Sequence, residues 1–181
     1  METIKLGVFL MVVCLIAAFG LAMTNRVTEP LIQEQKRLER MEAMKEVLPA
    51  ATEFEEVANE GGEPAVYNIA KDASGAVIGY AFEAAPKGYG GPVVTMVGID
   101  TGGTVTGIKI LSLMETPGLG AKAVEPKFTD QYSGKTIEQL YLKDKDLKKG
   151  DIDAITAATI TSKAVTLGVR EGVEAMQNVL K

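Results

Sequence analysis

Histidine and tryptophan are absent from this 181-residue chain, and cysteine occurs once, at Cys14. The missing imidazoles remove the commonest general base and metal ligand. A single thiol excludes an internal disulfide and any Cys-x-x-Cys zinc or iron–sulfur site. The glycine fingerprint of dinucleotide-binding folds is missing as well. Positive charge is in short supply: the net charge is −5, and Glu2 offsets Lys5 near the amino end. An acidic domain without a basic patch argues against nucleic acid as a partner.

A long apolar run comes first. Residues 6–23 contain no charge. As a helix this run is about 27 Å long at ~1.5 Å per residue, close to the hydrocarbon core of a bilayer. A secretory signal peptide is the rival, with Ala18-Phe-Gly20 as a small-residue cleavage site. Its apolar region is usually roughly 7–15 residues, and this run is longer. Residues 1–25 are therefore expected to be a retained transmembrane anchor, with Cys14 as a small apolar side chain inside it. Lys5 lies on one side, and Arg26, Lys36, Arg37, Arg40 and Lys45 on the other. A simple positive-inside count puts the carboxyl-terminal part in the cytoplasm. The distal cations are interleaved with Glu29, Glu34, Glu39 and Glu42, which leaves that count undecided.

Residues 26–50 read as an amphipathic stalk helix. Thr28 is placed to cap it and Pro30 to sit in its first turn. Leu31, Ile32, Leu38, Met41, Val47 and Leu48 fall roughly on one face, and Pro49 ends it. That face suits packing on the chain's own domain or docking on a neighbouring membrane protein. The remaining residues, 51–181, read as one small α+β domain. Residues 53–64 are acidic and glycine-containing and read as a loop. Strand-like runs follow at 65–70, 76–84, 93–99 and 104–113. Asp72-Ala-Ser-Gly75 and Asp100-Thr-Gly-Gly103 are turn signals between them, so antiparallel hairpins are expected. Residues 127–142 suggest helical turns around Phe128, Tyr132, Ile137, Leu140 and Tyr141. The charged run 143–150 reads as a solvated turn. A final helix is expected from Thr161, with Val165, Val169, Val173, Met176 and Leu180 as its buried face.

Three small-residue segments interrupt this pattern. They are Lys87-Gly-Tyr-Gly-Gly-Pro92, Glu115-Thr-Pro-Gly-Leu-Gly120 and Asp153-Ala-Ile-Thr-Ala-Ala-Thr159. Singly, each passes for a hairpin loop, a turn or a helix cap. Together they describe loops whose backbone can approach a flat ligand closely. Leu119 or Tyr89 can cover a ring face. The hydroxyl-rich helix mouth at Thr159 can hold an anionic end.

The third segment resembles the flavinylation sequence of FMN-binding domains, Asp-x-x-Ser/Thr-Gly/Ser/Ala-Ala-Thr, and the second is similar to that family's Glu-Thr-Pro-Gly-Leu-Gly loop. With one anchor, a stalk and a short domain, the whole chain resembles the G subunits of Rnf electron-transport complexes. The C subunits of the sodium-pumping NADH:quinone reductases are close relatives with a usually longer soluble part. The resemblance implies FMN bonded covalently through its phosphate to Thr159. It implies Thr156, Ala157 and Ala158 around the phosphate and ribityl chain. Glu115, Thr116, Gly118, Leu119 and Gly120 would line the flavin ring, with Tyr89 and Gly90 beside them. Ala157 stands where glycine or serine is more common. Thr161 and Ser162 are expected to cap the helix, and Thr161 is the alternative acceptor.

The resemblance further implies electron relay in a ferredoxin:NAD oxidoreductase coupled to Na+ or H+ movement, inactive by itself. Its partners would be the other membrane subunits of that complex and a flavin transferase acting outside the cytoplasm, which favours an extracytoplasmic domain. The rival readings are a subunit of a sodium-pumping NADH:quinone reductase, a cofactor-free, membrane-anchored binding or assembly module, and an anchored flavin reductase acting alone.

Overall fold

The computed structural model describes residues 2–59, 64–143 and 150–179. The chain divides into two compact units, residues 1–39 and 40–181. Helix α1 runs over Glu2–Val47 with Pro30 in its interior; its part up to Glu39 forms the first unit, and its last residues belong to the second. The cap expected at Thr28 is therefore not used. Thr28 Oγ1 donates instead to the Thr24 carbonyl at 2.9 Å, and Thr24 Oγ1 donates to the Gly20 carbonyl at 3.0 Å. Hydroxyls that bond back one turn stay inside the helix rather than starting a new one. The large apolar side chains from Ile4 to Ile32 are exposed, and α1 is long and apolar enough to cross a membrane.

The second unit is built on a five-stranded antiparallel meander in the order β1-β2-β3-β4-β5. The strands are β1 (Glu53–Ala58), β2 (Val66–Lys71), β3 (Val77–Ala84), β4 (Val94–Asp100) and β5 (Val105–Ser112). The two aspartate turns fall where the sequence places them. Asp72 Oδ1 accepts from the backbone N–H groups of Ser74 and Ala76, with Gly75 at φ 82°. Asp100 Oδ1 accepts from Gly102 and Thr104, with Gly103 at φ 81°. The side chain thus holds the turn while glycine takes the left-handed position.

Strand β1 corrects the loop expected from residue 53. Its Glu53, Glu55 and Glu56 are exposed because it is an edge strand, where charge is tolerated and discourages further pairing. An acidic edge strand does not show the apolar run by which strands are read. Residues 127–142 also depart from expectation. Helical structure is confined to α2 (Pro126–Thr129) and a 3-10 turn over Asp130–Tyr132. Gly134, at φ 74°, ends it, and the chain pairs with the start of β5 through Gly134 N to Val105 O and Val105 N to Lys135 O. Phe128, Tyr132 and Leu140 are nevertheless buried. Most of the charged run after Lys143, residues 144–149, lies outside the described residues, as does Leu180.

Helix α3 (Thr159–Val179) covers one face of the sheet. Val165, Val169, Val173 and Met176 pack there with Phe82, Val97, Ile99 and Val105. The close approach depends on Gly172, where a Cβ would overlap the Phe82 ring. The opposite face buries Ala70, Ala81 and Met96 beneath Ala43, Met44, Val47 and Leu48 from the end of α1 and the residue after it. The stalk's apolar stripe is therefore divided: Val47 and Leu48 are buried, while Leu31, Ile32, Leu38 and Met41 are exposed. Thr106 Oγ1 donates to the Val47 carbonyl at 2.6 Å, which satisfies an end carbonyl of α1. Strand β4 lies between both layers, so five of its seven residues are buried, and it reads as a continuous apolar run rather than an alternating one.

Candidate functional site

The start of α3 is set by an unusual turn. Ala158 N donates to the Ile155 carbonyl at 3.0 Å, closing a turn in which Ala157 has φ 60°. Ala157 is the one non-glycine residue with positive φ among those described. A left-handed alanine costs on the order of 1–2 kcal/mol, a cost that a glycine here would not bear. The Ala158 carbonyl then accepts the first helical bond, from Ser162 N at 3.0 Å. Helix α3 therefore begins at Thr159, two residues earlier than expected.

The expected capping by Thr161 and Ser162 does not occur. Ser162 Oγ donates to the Ala158 carbonyl at 2.9 Å and accepts from Ile155 N at 2.9 Å, fastening the turn to the helix from the side. Thr161 Oγ1 donates to the Glu115 carboxylate instead. The residue in the capping position, Ala158, has no side-chain oxygen. The N–H groups of the first helical turn thus have no partner within the helix and remain suited to an anion. Thr159 is exposed on that turn.

The turn forms one wall of an open cleft of about 420 Å3. Ala157, Ala158, Thr159, Ile160 and Thr161 line this wall. Glu115, Thr116, Leu119 and Gly120 line the facing wall, and Tyr89 closes one side. Tyr89, Leu119 and Ile160 are 69%, 40% and 57% exposed, so the mouth is apolar.

Glu115 is different: it is 8% exposed and ties its own loop to the Tyr89–Gly90 loop and to the first turn of α3. Its Oε1 accepts from the backbone N–H groups of Tyr89 at 2.8 Å and Gly90 at 3.2 Å. Its Oε2 accepts from Thr161 Oγ1 at 2.9 Å. The small residues make room for this arrangement. A Cβ on Gly120 would lie 2.6 Å from both Glu115 Oε2 and Thr161 Oγ1, and one on Gly90 would overlap the Met114 carbonyl.

Of the sequence-derived candidates, Tyr89, Glu115, Thr116, Leu119, Gly120, Ala157, Ala158 and Thr159 come together around the cleft. Thr156, Gly118 and Gly90 do not line it. Gly90 holds the latch to Glu115, Gly118 supplies a turn at φ 78°, and Thr156 lies in the turn before Ala158. Ile160 was not signalled by the sequence, because an exposed apolar residue in the first turn of an amphipathic helix has no distinctive pattern. Thr161 is 1% exposed and hydrogen-bonded, which makes it a poor acceptor for a modifying group.

The base of the turn is held by polar side chains. Asp151 accepts from Lys135 Nζ and from Gln139 Nε2, both at 2.8 Å. The hydrogen bond from Lys135 holds the Asp151 carboxyl below its ordinary pKa range. Gln131 accepts from Asp153 N at 2.7 Å.

Two family models match the chain. The FMN-binding domain covers residues 88–174, and the RnfG N-terminal region covers residues 2–47. The G subunit of the Na(+)-translocating ferredoxin:NAD(+) oxidoreductase complex of Acetobacterium woodii is 39% identical over 98% of this chain and 93% of its own. This chain belongs to the G-subunit family of ion-translocating oxidoreductase complexes. Another member of the family, from the proton-translocating ferredoxin:NAD(+) oxidoreductase complex of Clostridium ljungdahlii, is 36% identical over 91% of this chain and 86% of its own. The crystal structure of the C subunit of the Na(+)-translocating NADH-quinone reductase from Parabacteroides distasonis superposes with a TM-score of 0.61 at 18% identity, covering 82% of this chain and 95% of that one. The G-subunit chain described here thus shares the fold of that reductase component.

The residues present fit FMN. A helix mouth with unpaired N–H groups and an exposed hydroxyl suits its phosphate, and an apolar, glycine-lined cleft suits its ring.

Proposed function

We propose that this chain is a membrane-anchored flavoprotein that relays electrons within an ion-translocating ferredoxin:NAD oxidoreductase, with FMN tethered to Thr159. The observation that carries this reading is Thr159 itself: an exposed hydroxyl on an uncapped helical turn, inside a cleft of the FMN-binding domain. The first-turn N–H groups of α3 would hold the phosphate, the turn at Ala157 and Ala158 would flank the ribityl chain, and Leu119 and Tyr89 would cover the ring. Bound FMN supplies the electron-accepting and electron-donating chemistry, while the protein supplies position and electrostatics. The chain's own residues offer no imidazole, thiol pair or nucleotide fingerprint for dehydrogenation, which suits a relay that depends on partner proteins in the membrane.

Attachment needs an activated flavin nucleotide as donor and a flavin transferase. The Thr159 oxygen forms a bond to the FMN phosphorus, and the bond from phosphorus to the other nucleotide portion breaks. The departing portion takes up the hydroxyl proton. Such a tether keeps the flavin in place where it is not readily replaced, in keeping with a single-pass anchor and an extracytoplasmic domain. Protease accessibility in sealed vesicles tests that orientation.

The full chain, expressed with a flavin transferase, should run in a denaturing gel as a fluorescent band. Its intact mass should exceed the sequence mass by FMN less one water, and peptide mapping should place the increment on Thr159. Thr159→Val retaining both signals would sink the assignment. A cofactor-free assembly module would show neither signal in the wild type. A self-sufficient flavin reductase would oxidise NADH as the purified chain, and no turnover is expected.

A further inference from the structure

Glu115 invites a question about charge. All three of its neighbours within hydrogen-bond distance donate: two backbone N–H groups and one hydroxyl. Both N–H groups converge on Oε1, the Thr161 hydroxyl meets Oε2, and among the described residues no acceptor-only group faces the carboxyl, an arrangement that suits a carboxylate. No Lys or Arg pairs with it among the described residues. Burying an uncompensated anion is costly. A glutamine would serve nearly as well as a fastener. Its amide oxygen could accept from Tyr89 and Gly90, and the Thr161 hydroxyl could turn to accept from its amide nitrogen. The loops therefore need the shape of residue 115 but not its negative charge.

That charge lies in the wall of the cleft, whose lining includes Glu115 itself. A charge at a poorly solvated position acts with little screening on whatever occupies the cleft. We propose that Glu115 is a positioning residue whose fixed negative charge lowers the reduction potential of the flavin bound in this cleft. The proposal rests on the FMN reading above. Adding an electron to a flavin beside a buried anion is less favourable than beside a neutral amide, so the chain holds its flavin as a stronger electron donor.

The test is a potentiometric titration of the flavin-loaded, full-length chain in detergent. Glu115→Gln, which keeps shape and removes charge, should shift the potential to a more positive value. Glu115→Asp, which keeps charge and changes reach, should leave it close to that of the wild type. Glu138→Gln, at an exposed position outside the cleft, should not move it. A loaded Glu115→Gln chain with the wild-type potential overturns the proposal. So does a Glu115→Gln chain that fails to load, because the carboxylate would then serve attachment rather than tuning. A wild-type chain that carries no flavin overturns the cofactor reading and the tuning role with it, and is recognised by the missing fluorescent band.

Discussion

Thr159 and Thr161 lie on the same helical turn, yet they belong to different regions of the cleft. Thr159 stands on an exposed lip, behind a strained alanine and without a capping side chain. Thr161 belongs to a buried floor, where its hydroxyl bonds to Glu115. The lip offers reactive and hydrogen-bonding groups to a ligand, and the floor uses its polar groups on itself. Chemical identity therefore says little about role here; the environment assigns it. A group committed to a buried network is costly to expose, whereas a group on an open turn is available.

The sharpest test of this contrast is Thr159→Val. Covalent flavin should be lost completely, while stability to denaturant changes by no more than about 0.5 kcal/mol, as is usual for exposed positions. Denaturing-gel fluorescence and chemical denaturation read the two effects separately. Glu115→Ala should do the reverse to the floor. It strands two N–H groups and a hydroxyl, at about 1–3 kcal/mol for each group that water does not reach. Urea unfolding of the unloaded chain should show this loss. Thr161→Val should cost about 1.5–3 kcal/mol, because it removes one bond to a charged acceptor, and the fluorescent band should persist.

Smaller effects belong to the lip. Ala157→Gly should relieve the left-handed strain and raise stability by up to about 1 kcal/mol, after the extra chain entropy of glycine is subtracted. Acidification should act on the base of the turn through Asp151, whose pKa is lowered by Lys135. A lowered carboxyl pKa adds stability above the unfolded-state value and loses it as pH falls through the folded one. Unfolding of Asp151→Asn should therefore depend less on pH than the wild type below the ordinary aspartate range, and the two should differ most near neutrality.

The α+β fold with its antiparallel hairpins was legible in the sequence, and so were the small-residue segments that meet around the cleft. Three glycine- and threonine-rich segments are recognisable because each needs small residues for a physical reason, such as the space at Gly120 that Glu115 and Thr161 fill. The aspartate–glycine turns were equally plain, since a carboxylate and a left-handed glycine are needed together. What escaped was decided by long-range context. Nothing local distinguishes the acidic edge strand β1 from a loop. Thr28 and Pro30 have the composition of a helix start, and a helix already under way overrides it. Thr161 looked like a cap until a residue 46 positions away claimed its hydroxyl.

That sequence separation also has a consequence in time. The hairpins of the meander join neighbouring segments, so they close early in folding, whereas the Glu115 latch ties segments separated by 26 and 46 positions and must close late. The cleft does not exist in a half-folded chain. If FMN is tethered at Thr159 as proposed, the attached flavin marks a chain whose long-range contacts had closed before the tether formed.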